Sequence, residues 1–147
     1  TLHTNDAPSS VVRLLDMGIA PYLISTSLVA VVAQRLLRRL CPRCKAEYAL
    51  PASIAHAHGL QEGMPVYAPV GCDDCRNTGY KGRVAIVEVM EVNERVKDLI
   101  NSNASVPAIR QASMESGMHL LVQSALRNVI QGVTSIEEML ALSVQSE

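Results

Sequence analysis

The 147-residue chain contains no tryptophan, no phenylalanine and only four tyrosines. Its core must therefore be aliphatic, built from Leu, Ile, Val, Ala and Met. The same absence removes the aromatic platforms on which single-stranded bases stack. Charge of either sign is not in excess, the formal net charge being −1, so there is no global attraction for a polyanion. No Gly-x-x-x-x-Gly-Lys-[Ser/Thr] run occurs anywhere, which excludes a phosphate loop within these residues. No signal peptide is visible, and a secreted disulfide framework would require one. The longest uncharged stretch, Met17–Ala33, holds Gly, Pro, Ser and Thr and falls short of the ~20 apolar residues that cross a membrane. What remains is an ordinary folded chain of one domain or two small ones, with 48% apolar residues.

Cysteine is also scarce, and its placement is informative. All four cysteines fall in two Cys-x-x-Cys pairs, Cys41-Pro42-Arg43-Cys44 and Cys72-Asp73-Asp74-Cys75. A tight turn within each pair lets both sulfurs approach one ion, and two such pairs complete a tetrahedral Cys₄ zinc site. Gly71 and Gly79 flank the second pair with turn-compatible residues. A thioredoxin-type redox site has one such pair entering a helix in a βαβ unit, which is absent. A closed Cys₄ site leaves no open coordination position, so it holds structure and does not catalyse. One zinc per chain is expected, and chelation is expected to loosen this module while leaving the C-terminal helices folded. His56 and His58 are expected at the surface, because four cysteines already fill the tetrahedron.

Along the chain, Thr1–Thr4 fits the end of a buried strand. Asn5 or Asp6 can cap a helix with Pro8 in its first turn, and Gly18 marks its end. The periodicity predicts a second, longer helix from Pro21 to about Leu40, buried on several sides. Its end is basic: Arg35, Arg38 and Arg39 lead into Cys41, with Arg43 and Lys45 beyond. Such cations favour a helix C-terminus, and they also offset the formal −2 of a zinc tetrathiolate. A short helix over Pro51–His58 and a short strand over Val66–Val70 follow. Gly79–Arg83 reads as a turn carrying Lys81 and Arg83. Val84–Val92 reads as a strand with Val84, Ile86, Glu88 and Met90 on one face. Helices over Glu94–Ile100, Pro107–Glu115 and Leu120–Gln131 come next. Ser135-Ile136-Glu137-Glu138 reads as a capping box ahead of a last helix, and these four helices are expected to pack as a bundle.

Several stretches, in order, resemble one family. Thr1-Leu2-His3-Thr4-Asn5-Asp6-Ala7 is similar to the histidine box of secretion ATPases, and Arg13–Ile19 to the segment after it. Gln34-Arg35-Leu36 running to Cys41-Pro42-Arg43-Cys44, then Gly71-Cys72-Asp73-Asp74-Cys75, Gly79–Arg83 and Glu88, resemble the family's zinc module. Gly132–Glu138 is similar to its C-terminal signature. The chain thus resembles the type II secretion and type IV pilus assembly ATPases, across nearly its whole length.

The resemblance implies a fold that is α/β to mainly α: part of a RecA-like ATPase C-terminal domain with a Cys₄ zinc module, a short β element and a C-terminal helical bundle. Residues 1–40 would be the trailing part of the ATPase core, 41–92 the zinc module with its strand, and 93–147 the bundle. It implies a cytoplasmic homohexamer, peripheral at the inner membrane, that uses ATP and Mg²⁺. Its partners would be neighbouring subunits and the inner-membrane platform protein. His3 would sit near the γ-phosphate, and Arg35, Arg38, Arg39, Arg43, Lys81 and Arg83 are candidate contacts. Thr1 is not a Met and stands within a motif, so the chain is expected to be part of something longer. Lacking the phosphate loop, it is expected to be inactive alone. Pilus assembly and type II secretion both remain open as the pathway. The other function class compatible with a Cys₄ site is a zinc-ribbon nucleic-acid module. Near-neutral charge, missing stacking aromatics and Asp73-Asp74 inside the second pair stand against it.

Overall fold

The structure, a computed structural model, describes residues 4–144. Among the described residues, seven α-helices and four strands follow one another in a mixed α/β order. They are α1 (Ala7–Asp16), α2 (Pro21–Ser27), β1 (Ala30–Leu40), β2 (Ala46–Ala49), α3 (Ala52–Ala57), β3 (Pro65–Ala68), β4 (Tyr80–Glu91), α4 (Glu94–Asn101), α5 (Val106–Glu115), α6 (Leu121–Ile130) and α7 (Ile136–Val144). Strands β1 and β4 pair in one two-stranded sheet, and β2 pairs with β3 in another. No helix among the described residues is long and apolar enough to cross a membrane.

The chain divides into two compact units. One comprises the described residues up to Arg35 with Val87–Leu121, the other Leu36–Ile86 with the described residues from Val122 on. Helices α4 and α5 therefore belong to the first, and α6 and α7 mainly to the second.

In the first unit, Ala7, Val11, Ile24, Met90, Val92, Val96, Ile100, Ile109 and Met118 form an aliphatic core. Each fully buried Ile or Met there contributes roughly 1.5–3 kcal/mol. Helix α1 starts where Asp6 Oδ1 accepts the Ser9 N–H at 2.8 Å, so Asp6 is the cap. It stops at a left-handed Gly18, with Gly18 N–H on Leu15 O and Ile19 N–H on Leu14 O. Helix α4 ends the same way, but with Asn103 in the left-handed position at φ 53°.

The long helix expected from Pro21 to Leu40 is not formed. Helix α2 ends at Ser27, Leu28 is already extended at ψ 130°, and β1 carries the chain to Leu40. The residues explain it. Val29, Val31 and Val32 are stiff β-branched residues, and exposure alternates along Ala30–Leu37 with the period of a strand. Val32 and Leu36 are half exposed, so the segment is not buried on several sides. In the first unit Val92 N–H donates to Val29 O at 2.9 Å, which matches the start of β1 to the end of β4.

In the second unit β2 and β3 are antiparallel, pairing Ala46 with Ala68 and Tyr48 with Val66. Strand β4 begins at Tyr80, so Lys81–Arg83 lie in the strand and not in the expected turn. The inward face of β4 is as the pattern predicts: Ile86, Glu88 and Met90 are buried while Val87 and Val89 are exposed. The capping box at α7 forms by half. Ser135 Oγ faces the Glu138 N–H at 3.5 Å, but the Glu138 carboxylate turns away to Arg38.

Candidate metal centre

Each cysteine pair is a tight turn set by its own backbone. Cys44 N–H and Lys45 N–H both reach Cys41 O, at 3.3 and 3.1 Å. Cys75 N–H and Asn77 N–H reach Cys72 O at 3.2 and 2.9 Å, with Asp73–Cys75 as a single 3₁₀ turn. Arg76 and Asn77 then take left-handed conformations, which turn the chain back under the sulfurs. Gly79 is required at its position. Its φ is +75°, and a Cβ there would lie 2.4 Å from Pro69 Cβ. The two turns are joined by Cys41 N–H on Gly79 O at 2.9 Å.

The four sulfurs converge, all within 4.8 Å of one another. Cys41 to Cys72 is 3.9 Å, Cys44 to Cys75 is 3.8 Å and Cys72 to Cys75 is 3.8 Å. A zinc tetrathiolate with bonds of about 2.3 Å has sulfur–sulfur edges of roughly 3.8 Å. A disulfide needs about 2.05 Å, and all four cysteines are free. The donor set and the spacing therefore fit one tetrahedral ion. Neither His56 nor His58 belongs to the cluster; His56 is exposed and pairs with Glu62 at 2.8 Å.

Backbone amides prepare the sulfurs for negative charge. Gly71 N–H points at Cys44 Sγ at 3.3 Å, while Cys72 N–H and Gly79 N–H both point at Cys75 Sγ at 3.2 Å. Burial pushes the Cys75 thiol up, but its two amide donors and neighbouring sulfurs outweigh this and bring it down to about 6. Cys44 is pushed up to about 11, by burial first and then by the other sulfurs, against a single amide. Four sulfurs a tetrahedral edge apart, one of them with its thiol pushed down, can take a divalent cation with release of protons.

Around this centre the basic residues have separate tasks. Asp74 in the second turn accepts both contacts of Lys81 Nζ at 2.8 Å and lies 3.9 Å from Arg43 in the first. Arg38 pairs with Glu138 at 2.7 Å and lies 4.1 Å over the Tyr80 ring. Lys45 Nζ donates to Gly132 O at 2.7 Å. Arg35, in the other unit, donates to Asn5 at 2.8 Å. Arg39 and Arg83 are exposed and make no ion pair among the described residues. His3 lies outside the described residues.

The family model for the type II/IV secretion system protein matches residues 1–141. The chain belongs to that family. It is 43% identical over 145 residues to a type IV pilus assembly ATPase of Acinetobacter baylyi, covering 95% of this chain and 25% of that protein. It is 45% identical over 148 residues to the corresponding ATPase of Myxococcus xanthus, with the same two coverages. To type II secretion system protein E of Aeromonas hydrophila it is 40% identical, over 97% of this chain and 29% of the other. The chain thus spans about a quarter of the length of the curated relatives it matches.

Within this family member, sequence reasoning missed three features that the structure supplies. One is the four-residue strand β2, which pairs with β3 near the first cysteine pair. Another is Asp74, whose carboxylate faces Arg43 of the first turn and Lys81 of β4. The third is Glu88. It is 2% exposed and accepts Ala7 N–H at 2.9 Å and Leu121 N–H at 3.2 Å. Its place among Val84, Ile86 and Met90 was the visible signal, a charge on an apolar face.

Proposed function

We propose that this chain is the C-terminal portion of a secretion or pilus ATPase, a hexameric motor that drives type IV pilus assembly or type II protein secretion. The observation that carries the reading is the family match over residues 1–141, with relatives named for both pathways. In this reading residues 1–40 trail a RecA-like core, and ATP and Mg²⁺ are held chiefly by residues beyond this chain. His3 would stand near the γ-phosphate. The 147-residue chain alone should neither bind ATP tightly nor turn it over, because nothing in it can cradle a triphosphate.

Zinc is the resident metal of the reading, held by Cys41, Cys44, Cys72 and Cys75. When bound it would offset half of the thiolate charge and cross-link the two turns, and with four protein ligands it has no catalytic position. The module is therefore structural and presents contacts. Arg39 and Arg83, exposed and without an ion pair among the described residues, are the strongest of the six cationic candidates for contact with a neighbouring subunit or the inner-membrane platform protein. Arg38, Arg43 and Lys81 already serve internal carboxylates.

The test is genetic and direct. Deleting the encoding gene in its host should abolish surface filaments, or export of secreted proteins, while the pilin or pseudopilin subunits are still made. Normal filaments together with normal secretion would overturn the proposal. Measurable ATP turnover by the purified chain, free of contaminating ATPase, would overturn the claim that it is inactive alone.

A further inference from the structure

We infer that the four-cysteine site governs the docking of the α6–α7 corner, residues 132–138, so that zinc occupancy sets whether that corner is held in place. The inference rests on the metal reading of the cysteines and goes beyond it, because the corner supplies no ligand. What the corner does is grip the residues that flank the ligands.

The contacts are specific. Leu40, directly before Cys41, donates its N–H to Val133 O at 2.9 Å. Lys45, directly after Cys44, donates Nζ to Gly132 O at 2.7 Å with Tyr67 beneath it, 4.4 Å from the ring centroid. Arg38 O accepts the Thr134 hydroxyl at 2.8 Å, and the Arg38 N–H and Nε–H reach the two oxygens of Glu138 at 2.7 and 2.8 Å. Tyr80 and Ser135 share a hydrogen bond of 2.8 Å between their hydroxyls. Tyr80 directly follows Gly79, whose N–H points at Cys75 Sγ and whose carbonyl accepts Cys41 N–H. Every one of these polar contacts thus comes from a residue within five positions of a ligand.

The corner depends on them. Thr134 and Ser135 are fully buried, and Ile136 nearly so. Buried hydroxyls and carbonyls are tolerated only while partnered. Lys45 sits on the first of two turns whose own closure has little apolar burial behind it, and Arg38, Leu40 and Tyr80 sit on the strand ends that lead into those turns. Among residues 41–45 and 71–79, only Cys41, Cys75 and Gly79 are buried. Bringing those turns together costs loop entropy, and a bound ion is what offsets it. Without the ion, the turn carrying Lys45 and the strand ends carrying Leu40 and Tyr80 lose that closure, and the corner's contacts with them loosen together. The C-terminal helices are then not indifferent to chelation. Helices α6 and α7 follow the metal, whereas α4 and α5, which belong to the other unit, do not.

Hydrogen exchange of the full 147-residue chain tests this, comparing zinc-loaded protein with protein stripped by a chelator and then re-supplied with zinc. Chelation should speed exchange about tenfold or more in peptides covering 72–80 and 128–140 together, with 94–116 unchanged and zinc restoring both. Loosening of 72–80 with 128–140 unchanged would overturn the linkage. Lys45→Met keeps the apolar stem and should still bind one zinc, yet show severalfold faster exchange across 128–140; unaltered exchange there would count against the inference. If that variant fails to fold, Tyr80→Phe, which deletes only the hydroxyl on Ser135, makes the same comparison. Elemental analysis separates the two failures. No bound zinc refutes the metal reading itself, whereas bound zinc with an undisturbed corner after its removal refutes only the linkage.

Discussion

The Glu88 carboxylate accepts the main-chain N–H of Ala7 at 2.9 Å, from a position 81 residues away in sequence. Its other oxygen takes the Leu121 N–H at 3.2 Å. Ala7 is the first residue of α1, where an amide has no partner within its own helix. Replacing Glu88 by Leu leaves two such donors with nothing to bond and should cost about 2–4 kcal/mol. Glu88→Gln, which keeps one acceptor, should cost roughly half as much, read from urea midpoints. Burial raises the Glu88 carboxyl above its ordinary 4.5, although both amides and the Arg110 charge oppose it. The folded chain therefore holds this proton more tightly than the unfolded chain does. Stability from this group is fully present below 4.5 and declines as pH rises through its raised value. The difference between wild-type and Glu88→Gln stability should carry that slope; a difference independent of pH would refute it.

Asp6 behaves in the opposite sense. Burial alone would raise it, but the Ser9 N–H and the Arg110 guanidinium at 2.5 Å hold its carboxylate below the usual 3.8. Its contribution is present above 3.8 and is lost as pH falls through the depressed value. Asp6→Ala removes the α1 cap and the Arg110 pair, at a cost of about 1–2 kcal/mol at neutral pH. Asp6→Asn keeps a capping oxygen and should lose less, with a flatter acid limb in its melting profile. Equal losses for the two variants would show that the cap matters little.

At the cysteines, the low Cys75 thiol gives a distinct signature. Below about 6 this thiol carries a proton that zinc must displace, and above it the proton has already gone. Calorimetry in buffers of different ionisation enthalpy should therefore find more protons released per zinc at pH 5.5 than at pH 7. Equal release at both would place the first thiolate elsewhere. Cys75→Ser should abolish tight binding altogether, since removing one ligand opens a closed tetrahedron.

Features governed by one local rule were legible in the sequence. Asp6 followed by Pro8, the left-handed glycines 18, 117 and 132, and the doubled Cys-x-x-Cys each point to a single geometry. The strand β1 was not legible, because Leu28, Val31, Val32, Leu36 and Leu37 satisfy a helical period nearly as well as an alternating one. Pairing with β4 decided between them, and that partner lies some 50 residues on. Glu138 was misplaced for a related reason. Its spacing from Ser135 fits a capping box, but Arg38, 100 residues earlier, offers a charged fork and a backbone N–H at once. The cysteine spacing foretold the centre, while the partners of its flanking cations came only with the fold.

Gly132 shows how closely the centre's surroundings are packed, and it supplies a controlled comparison. Gly132 and Gly59 both sit at φ +64°, each after a helix end. A Cβ at Gly59 meets nothing within 4 Å, whereas one at Gly132 would lie 2.6 Å from the Tyr67 ring and 3.0 Å from Lys45 Nζ. Gly59→Ala therefore reports the left-handed strain alone, about 1–2 kcal/mol. Gly132→Ala adds the displacement of a ring and of the cation resting on it, which should raise the loss by roughly another 1–3 kcal/mol. Both glycines lie in the same compact unit, so the two midpoints are directly comparable. If the two substitutions cost the same, Tyr67 and Lys45 move aside freely, and their contact with the corner is loose. If Gly132→Ala costs more yet retains one zinc, the strain is borne by the Lys45–Tyr67–Gly132 contact and not by the sulfurs.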